Sequence, residues 1–213
     1  MEDLVMPGDS PRRHCPRTDT FAAAVMSLLV LASLPSAVAA QAVEGEFERT
    51  LTVNGPADVN VVSGAGSIEV RPGAAGRIEV RARIRAGRDG DRNGRLSAEE
   101  RVRRLGANPP IEQTGNRVRI GDIPDDDLRD GVSISYTVTV PTETSVRSRT
   151  GSGAHRIDGV GGSIEAASGS GSIRIANAGR DVRATTGSGS ILAATVDGAF
   201  EARSGSGSIE GTA

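Results

Sequence analysis

From Val146 onward, apolar residues recur every nine positions, in two interleaved columns. Val146, Ile164, Val182 and Phe200 share one column, and His155, Ile173, Ile191 and Ile209 share the other. A small or apolar residue follows two positions later at Ala166, Ile175, Ala184, Ala193 and Ala202. An apolar, polar, apolar spacing is that of a short strand with one buried face. Between the strands, Gly151, Gly169, Gly187 and Gly205 fall in register, as do Gly153, Gly171, Gly189 and Gly207. Glycine reaches positive φ without steric cost, so these phrases are expected to turn the chain. The 18-residue units predict an all-β, single-stranded β-solenoid, with two strands and two turns per coil. Coils of this kind stack at about 4.8 Å. Arg147, Glu165, Arg183 and Glu201 would then meet on the outer face with alternating sign, as cross-strand neighbours should.

The segment 47–145 reads as the same architecture in less regular form. Residues 62–73 repeat the Gly-x-Gly-Ser-Ile phrase, and residues 76–87 alternate Ile78, Val80, Ala82 and Ile84 with charged residues. Further strands are expected around Val118–Ile120 and Ile134–Val140, the latter closed by Pro141. Residues 87–110 interrupt the β pattern and predict one short α-helix near 97–106. The regular repeats run over 146–213. The last unit holds 14 of its 18 residues, so either the chain is truncated or another chain covers the final coil. The second case implies self-association through the open C-terminal coil.

The interruption carries the sharpest motif in the chain, "DGDRNGRLSAEE", residues 89–100. Asp89, Asp91 and Asn93, the Arg95 carbonyl and a bidentate Glu100 match an EF-hand loop, and Gly94 sits at its sharp turn. Calcium is the cofactor this spacing allows, although nothing in the fold requires a cofactor. Ser97 and Glu100 equally form a capping box for the helix that follows, so only Asp89, Asp91 and Asn93 point to the ion alone. Calcium in the Gly-Ser turns is not expected, because Gly153, Gly171, Gly189 and Gly207 stand where a calcium β-roll needs Asp.

Composition narrows the function classes. The chain has 28 Gly, no Trp, one Tyr and three Phe, which suits thin layers of small and β-branched side chains. Arg12, Arg13 and Arg17 precede an apolar run, Phe21 to Ala40, ending in Ala37-Val38-Ala39. This is the pattern of a signal peptide over 1–40, leaving a mature domain of 41–213 with no retained transmembrane helix. Cys15, the only cysteine, precedes the run, so the mature chain would have no thiol chemistry and no disulfide. It would hold 22 Arg against 23 acids, a net charge of −1, which argues against nucleic-acid binding. His155 is expected as a partly covered residue at the end of the regular stack. Asp125, Asp126 and Asp127 are expected in a solvated loop. Glu165 and Glu201, two coils apart with Arg183 between them, suit charge pairing better than the carboxylate pair of a glycosidase.

The phrases "ANPPIEQTGNRVRIG" and "VSISYTVTVPTETSVRSRTGSG", with the Gly-Ser-Gly-Ser-Ile repeats after them, resemble the bacterial putative-adhesin domain family. The resemblance runs from Phe47 to the C-terminus. It implies a β-helical fold on an exported protein, in the periplasm or at the cell surface, and carries no catalytic residue set. The reading that follows is a non-catalytic structural or binding module of the cell envelope, meeting a protein or glycan partner. Ladders such as Thr150, Ser168, Thr186 and Ser204 would be presented to that partner. A polysaccharide-active β-helix enzyme and an envelope-stress sensor are the alternatives.

Overall fold

The computed structural model describes residues 42–87 and 96–212. Its strands follow from alternation. In β4 (Arg77–Ala86), Ile78, Val80, Ala82, Ile84 and Ala86 are buried while the Arg and Glu between them face outward. Buried and outward positions also alternate in β2 (Asp58–Ser63), β6 (Arg117–Ile120) and β7 (Val132–Pro141) and at the start of β3 (Ile68–Gly73). By contrast, β1 (Val43–Thr52) buries only Phe47 and β5 (Ile111–Thr114) buries no residue. The regular region supplies β8 (Ser145–Thr150), β9 (His155–Asp158), β10 (Ile164–Ser168), β11 (Ile173–Ala178) and β12 (Val182–Ser188). It ends with β13 (Ile191–Val196), β14 (Phe200–Ser206) and β15 (Ile209–Thr212).

The strands form two sheets whose buried residues make one hydrophobic cluster. The first sheet has eight strands in the order β1-β4-β7-β3-β9-β11-β13-β15, and the second has seven, β14-β12-β10-β8-β2-β6-β5. From β8 onward each 18-residue unit gives one strand to each sheet, and pairing is parallel at a constant offset. Ile164 meets Val146 and Val182, and Ile173 meets His155 and Ile191.

The N-terminal half departs from a uniform winding. β1, β4 and β7 pair antiparallel, as do β5 and β6, so both sheets are mixed and neither closes on itself. The order of units is also exchanged. β2 and β3 pair with β8 and β9 on one side, and with β6 and β7, which come later in the chain, on the other. The two strands that resemble a first coil therefore lie second in the stack.

Two helices are present among the described residues, where one was expected. α1 (Ala98–Ala107) packs Val102 and Leu105 against β1 and β4, with Ser97 as its N-cap accepting from the Glu100 N–H at 3.1 Å. α2 (Asp126–Arg129) arises from the acidic run. Asp125 caps it, and Asp126 and Asp127 sit in the first turn, where the helix dipole favours negative charge.

The Gly-Ser-Gly corners differ from expectation in their physical reason. Of the eight aligned glycines only Gly207 has a positive φ. What they share is contact with the unit before. A Cβ on Gly171 would lie 1.8 Å from the Gly153 carbonyl oxygen, and one on Gly169 2.5 Å from that of Gly151. The corners stack backbone on backbone, and no side chain fits between them.

Candidate binding face

The outward positions of the second sheet form a continuous charged row. Val59, Val61, Val146, Ile164 and Val182 point into the core, so Asn60, Arg147, Glu165, Arg183 and Glu201 must point out. Parallel register sets them side by side. Arg147 Nε donates to Glu165 at 2.8 Å, Arg149 reaches the other Glu165 oxygen at 3.0 Å, and Arg183 Nη2 donates to Glu201 at 2.6 Å. Hydrogen bonds from Arg147 hold the Glu165 carboxyl below its ordinary range, and Arg183 does the same for Glu201. The row lines a shallow groove of about 400 Å³.

The alternation is broken at Asn60 and resumes beyond it, where Glu112 on β5 stands beside Arg119 on β6. This residue lies between Arg119 on β6 and Arg147 on β8, where the next acid of the series would stand. A depression of about 210 Å³ is lined there by Asp58, Asn60, Arg117, Arg119 and Arg147. Arg117 approaches Asp58 at 3.6 Å, and Arg119 is exposed with no ion pair among the described residues. Asn60 Oδ1 is buried without a hydrogen-bond partner. An adjoining depression of about 600 Å³ adds Thr114, Ser145 and Ser163.

The residues singled out from sequence lie elsewhere. Asp89, Asp91, Asn93 and Arg95 lie outside the described residues. Glu100 is on α1, with its carboxylate bonded to Arg104 Nε at 2.8 Å and to Arg103, which lowers its pKa. Thr150, Ser168 and Thr186 are buried instead of presented, and with Ser204 each hydroxyl donates to a corner carbonyl. Ser168 binds that of Gly153 at 3.1 Å and Thr186 that of Gly171 at 2.9 Å.

His155 is 1% exposed and not at an end, because β3 continues the sheet beyond β9 and sets Ile68 beside it. Its Nε2 lies 3.0 Å from the Ala167 carbonyl oxygen, an acceptor, so Nε2 carries the proton. Nδ1 then accepts from the Ser148 hydroxyl at 3.0 Å. Burial pushes the His155 pKa down and favours this neutral form. A serine–histidine pair results, but Ser148 is 0% exposed, so the pair faces packed core and not a cleft.

The Arg119–Asn60–Arg147 row was not legible from sequence, because it depends on β6 and β8 flanking β2. The signal within reach was the unbalanced "RVR" of β6, two outward arginines with no acid between them.

No helix among the described residues is long and apolar enough to cross a membrane. No family model matches the chain, and no curated protein matches it. Two solved structures are similar to it. One is a putative cell adhesion protein from Clostridium sporogenes, at 10% identity and a TM-score of 0.47, covering 79% of this chain and 98% of that one. The other is a putative adhesin from Bacteroides fragilis, at 13% identity and a TM-score of 0.30, covering 79% of this chain and 97% of that one.

Proposed function

We propose that the chain is an exported, non-catalytic binding module of the cell envelope, built as a β-solenoid stack whose second sheet offers the charged contact face. One observation carries the reading: side chains able to do chemistry in the regular region are consumed by architecture, while the exposed polar groups form an ordered surface. Ser148, His155 and the Thr150 ladder serve the core and corners. Arg147, Glu165, Arg183 and Glu201 form a row that a partner can meet without any residue leaving its strand. The leader pattern of residues 1–40 and the resemblance to the putative-adhesin domain support the location.

Fractionation of the producing cell with N-terminal sequencing tests this. The mature chain is expected in the envelope fraction, starting near Gln41, and reversal of the row's charges is expected to release it from that fraction. A cytosolic chain with its leader intact overturns the proposal, as does polysaccharide cleavage by the purified protein.

A further inference from the structure

We infer that the depression around Asn60 is a carboxylate-binding slot, and that its ligand is a uronate unit of an acidic glycan. The inference rests on the second sheet's outer face being the contact face. Along that face Glu165 stands in register between Arg147 and Arg183, and Glu201 follows Arg183 on the edge strand β14. Asn60 occupies the equivalent position between Arg119 and Arg147 and brings no charge. Two arginines therefore stand at the register positions that flank Glu165 elsewhere in the row, with no carboxylate between them. A planar guanidinium fork matches a carboxylate in geometry as well as charge.

The neighbouring groups fit the same ligand. Arg117 adds a third positive group, balanced loosely by Asp58 at 3.6 Å. Asn60 brings no charge to oppose an anion, and its Oδ1 is turned into the protein, buried and without a hydrogen-bond partner. Thr114, Ser145 and Ser163 line the adjoining depression and offer hydroxyls to the hydroxyls of a sugar ring. Trp is absent and Tyr136 is buried, so recognition here works by charge and hydroxyl pairing and not by ring stacking. An acidic peptide fits less well. β6, β2 and β8 are interior strands of the sheet, so their backbone groups are paired and cannot add a peptide strand.

The test is titration of the purified full chain with a short oligogalacturonate, its methyl ester and poly-glutamate. The free acid is expected to bind, more weakly as salt is added. The ester is expected not to bind, and poly-glutamate to bind at least about tenfold more weakly. Arg119→Ala should weaken the free acid by about tenfold or more. Asn60→Asp fills the slot with the missing charge, so it should abolish binding while leaving the melting temperature unchanged or raised.

Undiminished binding by Asn60→Asp, a lowered melting temperature in that variant, or equal binding of the ester each overturns the slot. So does silence with all three probes. Poly-glutamate binding as tightly as the glycan overturns the choice of ligand in favour of an acidic protein. A chain retained in the envelope that binds no uronate sinks the slot and leaves the wider proposal standing.

Discussion

Thr195 adopts a left-handed backbone, φ 56°, a conformation that a β-branched residue rarely tolerates. The same corner is Asn177 at φ 52° one unit earlier and Gly159 at φ 65° two units earlier. The backbone demand is thus fixed by the stack while the side chain meets it progressively less well. Thr195→Asn should stabilise the protein by about 1 kcal/mol, since Asn accepts this region and Thr195 is exposed. Thermal melting reads it as a rise of roughly 2–4 °C for a chain of this size; a fall would show that the threonine makes a contact worth more than its strain.

His155 supplies a pH dependence of definite sign. Its folded pKa lies below the ordinary 6.5, so between those values the unfolded chain binds more protons than the folded one. Stability is therefore full above about 6.5 and declines as the pH falls toward the folded value. The carboxylates enter lower down, below their ordinary 4.5, because Glu165 and Glu201 are depressed. Denaturant melts from pH 7.5 to 5 should show the upper decline in the wild type. It should be flat in His155→Ile, whatever that variant's absolute stability.

At the scale of the element, the corners set the tolerance of the chain. Gly171→Ala drives a Cβ into the Gly153 carbonyl, backbone that cannot step aside, and should cost about 3 kcal/mol or more. Gly64→Ala is the control, because a Cβ there meets nothing within 4 Å and its φ is not positive. It should be neutral or stabilise by about 0.5 kcal/mol. Equal losses in the two variants would refute close stacking as the reason for the glycines.

The corner glycines also show how far periodicity can be read. Their register was plain in the sequence because every unit repeats the same contact. Their cause was not, since a glycine needed for φ and one needed for proximity look alike in one dimension. Helix α1 was legible because Ser97 caps it and Val102 and Leu105 repeat at helical spacing. The antiparallel pairing of β1, β4 and β7 was not, because half-buried strands alternate identically whichever way their neighbours run. For the same reason the Asn60 row stayed hidden until β6, β2 and β8 were seen side by side.

The loop before α1 remains a proposed calcium site. Capture of an ion by Asp89, Asp91, Asn93, the Arg95 carbonyl and Glu100 would require the Glu100 carboxylate to leave Arg103 and Arg104. That competition favours weak binding, on the order of millimolar, as in extracellular modules. Calorimetry with millimolar calcium should give heat in the wild type and none in Asp89→Ala, and a flat wild-type trace would remove the proposal.

At the scale of the whole described fold, the two halves play different parts. The exchanged order of the β2–β3 and β6–β7 units joins strands far apart in sequence, so this end forms only when much of the chain is available. From β8 onward each unit depends on its immediate neighbours, as in other stacked repeats.

The charged row adds a rule of parity to that simple stack. The backbone repeats every unit, but along this row of the second sheet the sign of the outward charge repeats every second one. Excising residues 164–181 keeps every hydrogen-bond register yet sets Arg147 beside Arg183. Excising 164–199 removes twice as much and sets Arg147 beside Glu201, restoring the match. The like pair costs about 0.2–1 kcal/mol and is relieved by salt, so added salt should raise the melting temperature of the shorter deletion and not of the longer one. A lineage that lengthens or shortens this stack keeps the pairing of the row only by doing so two units at a time, as though this face of the protein counted in even numbers.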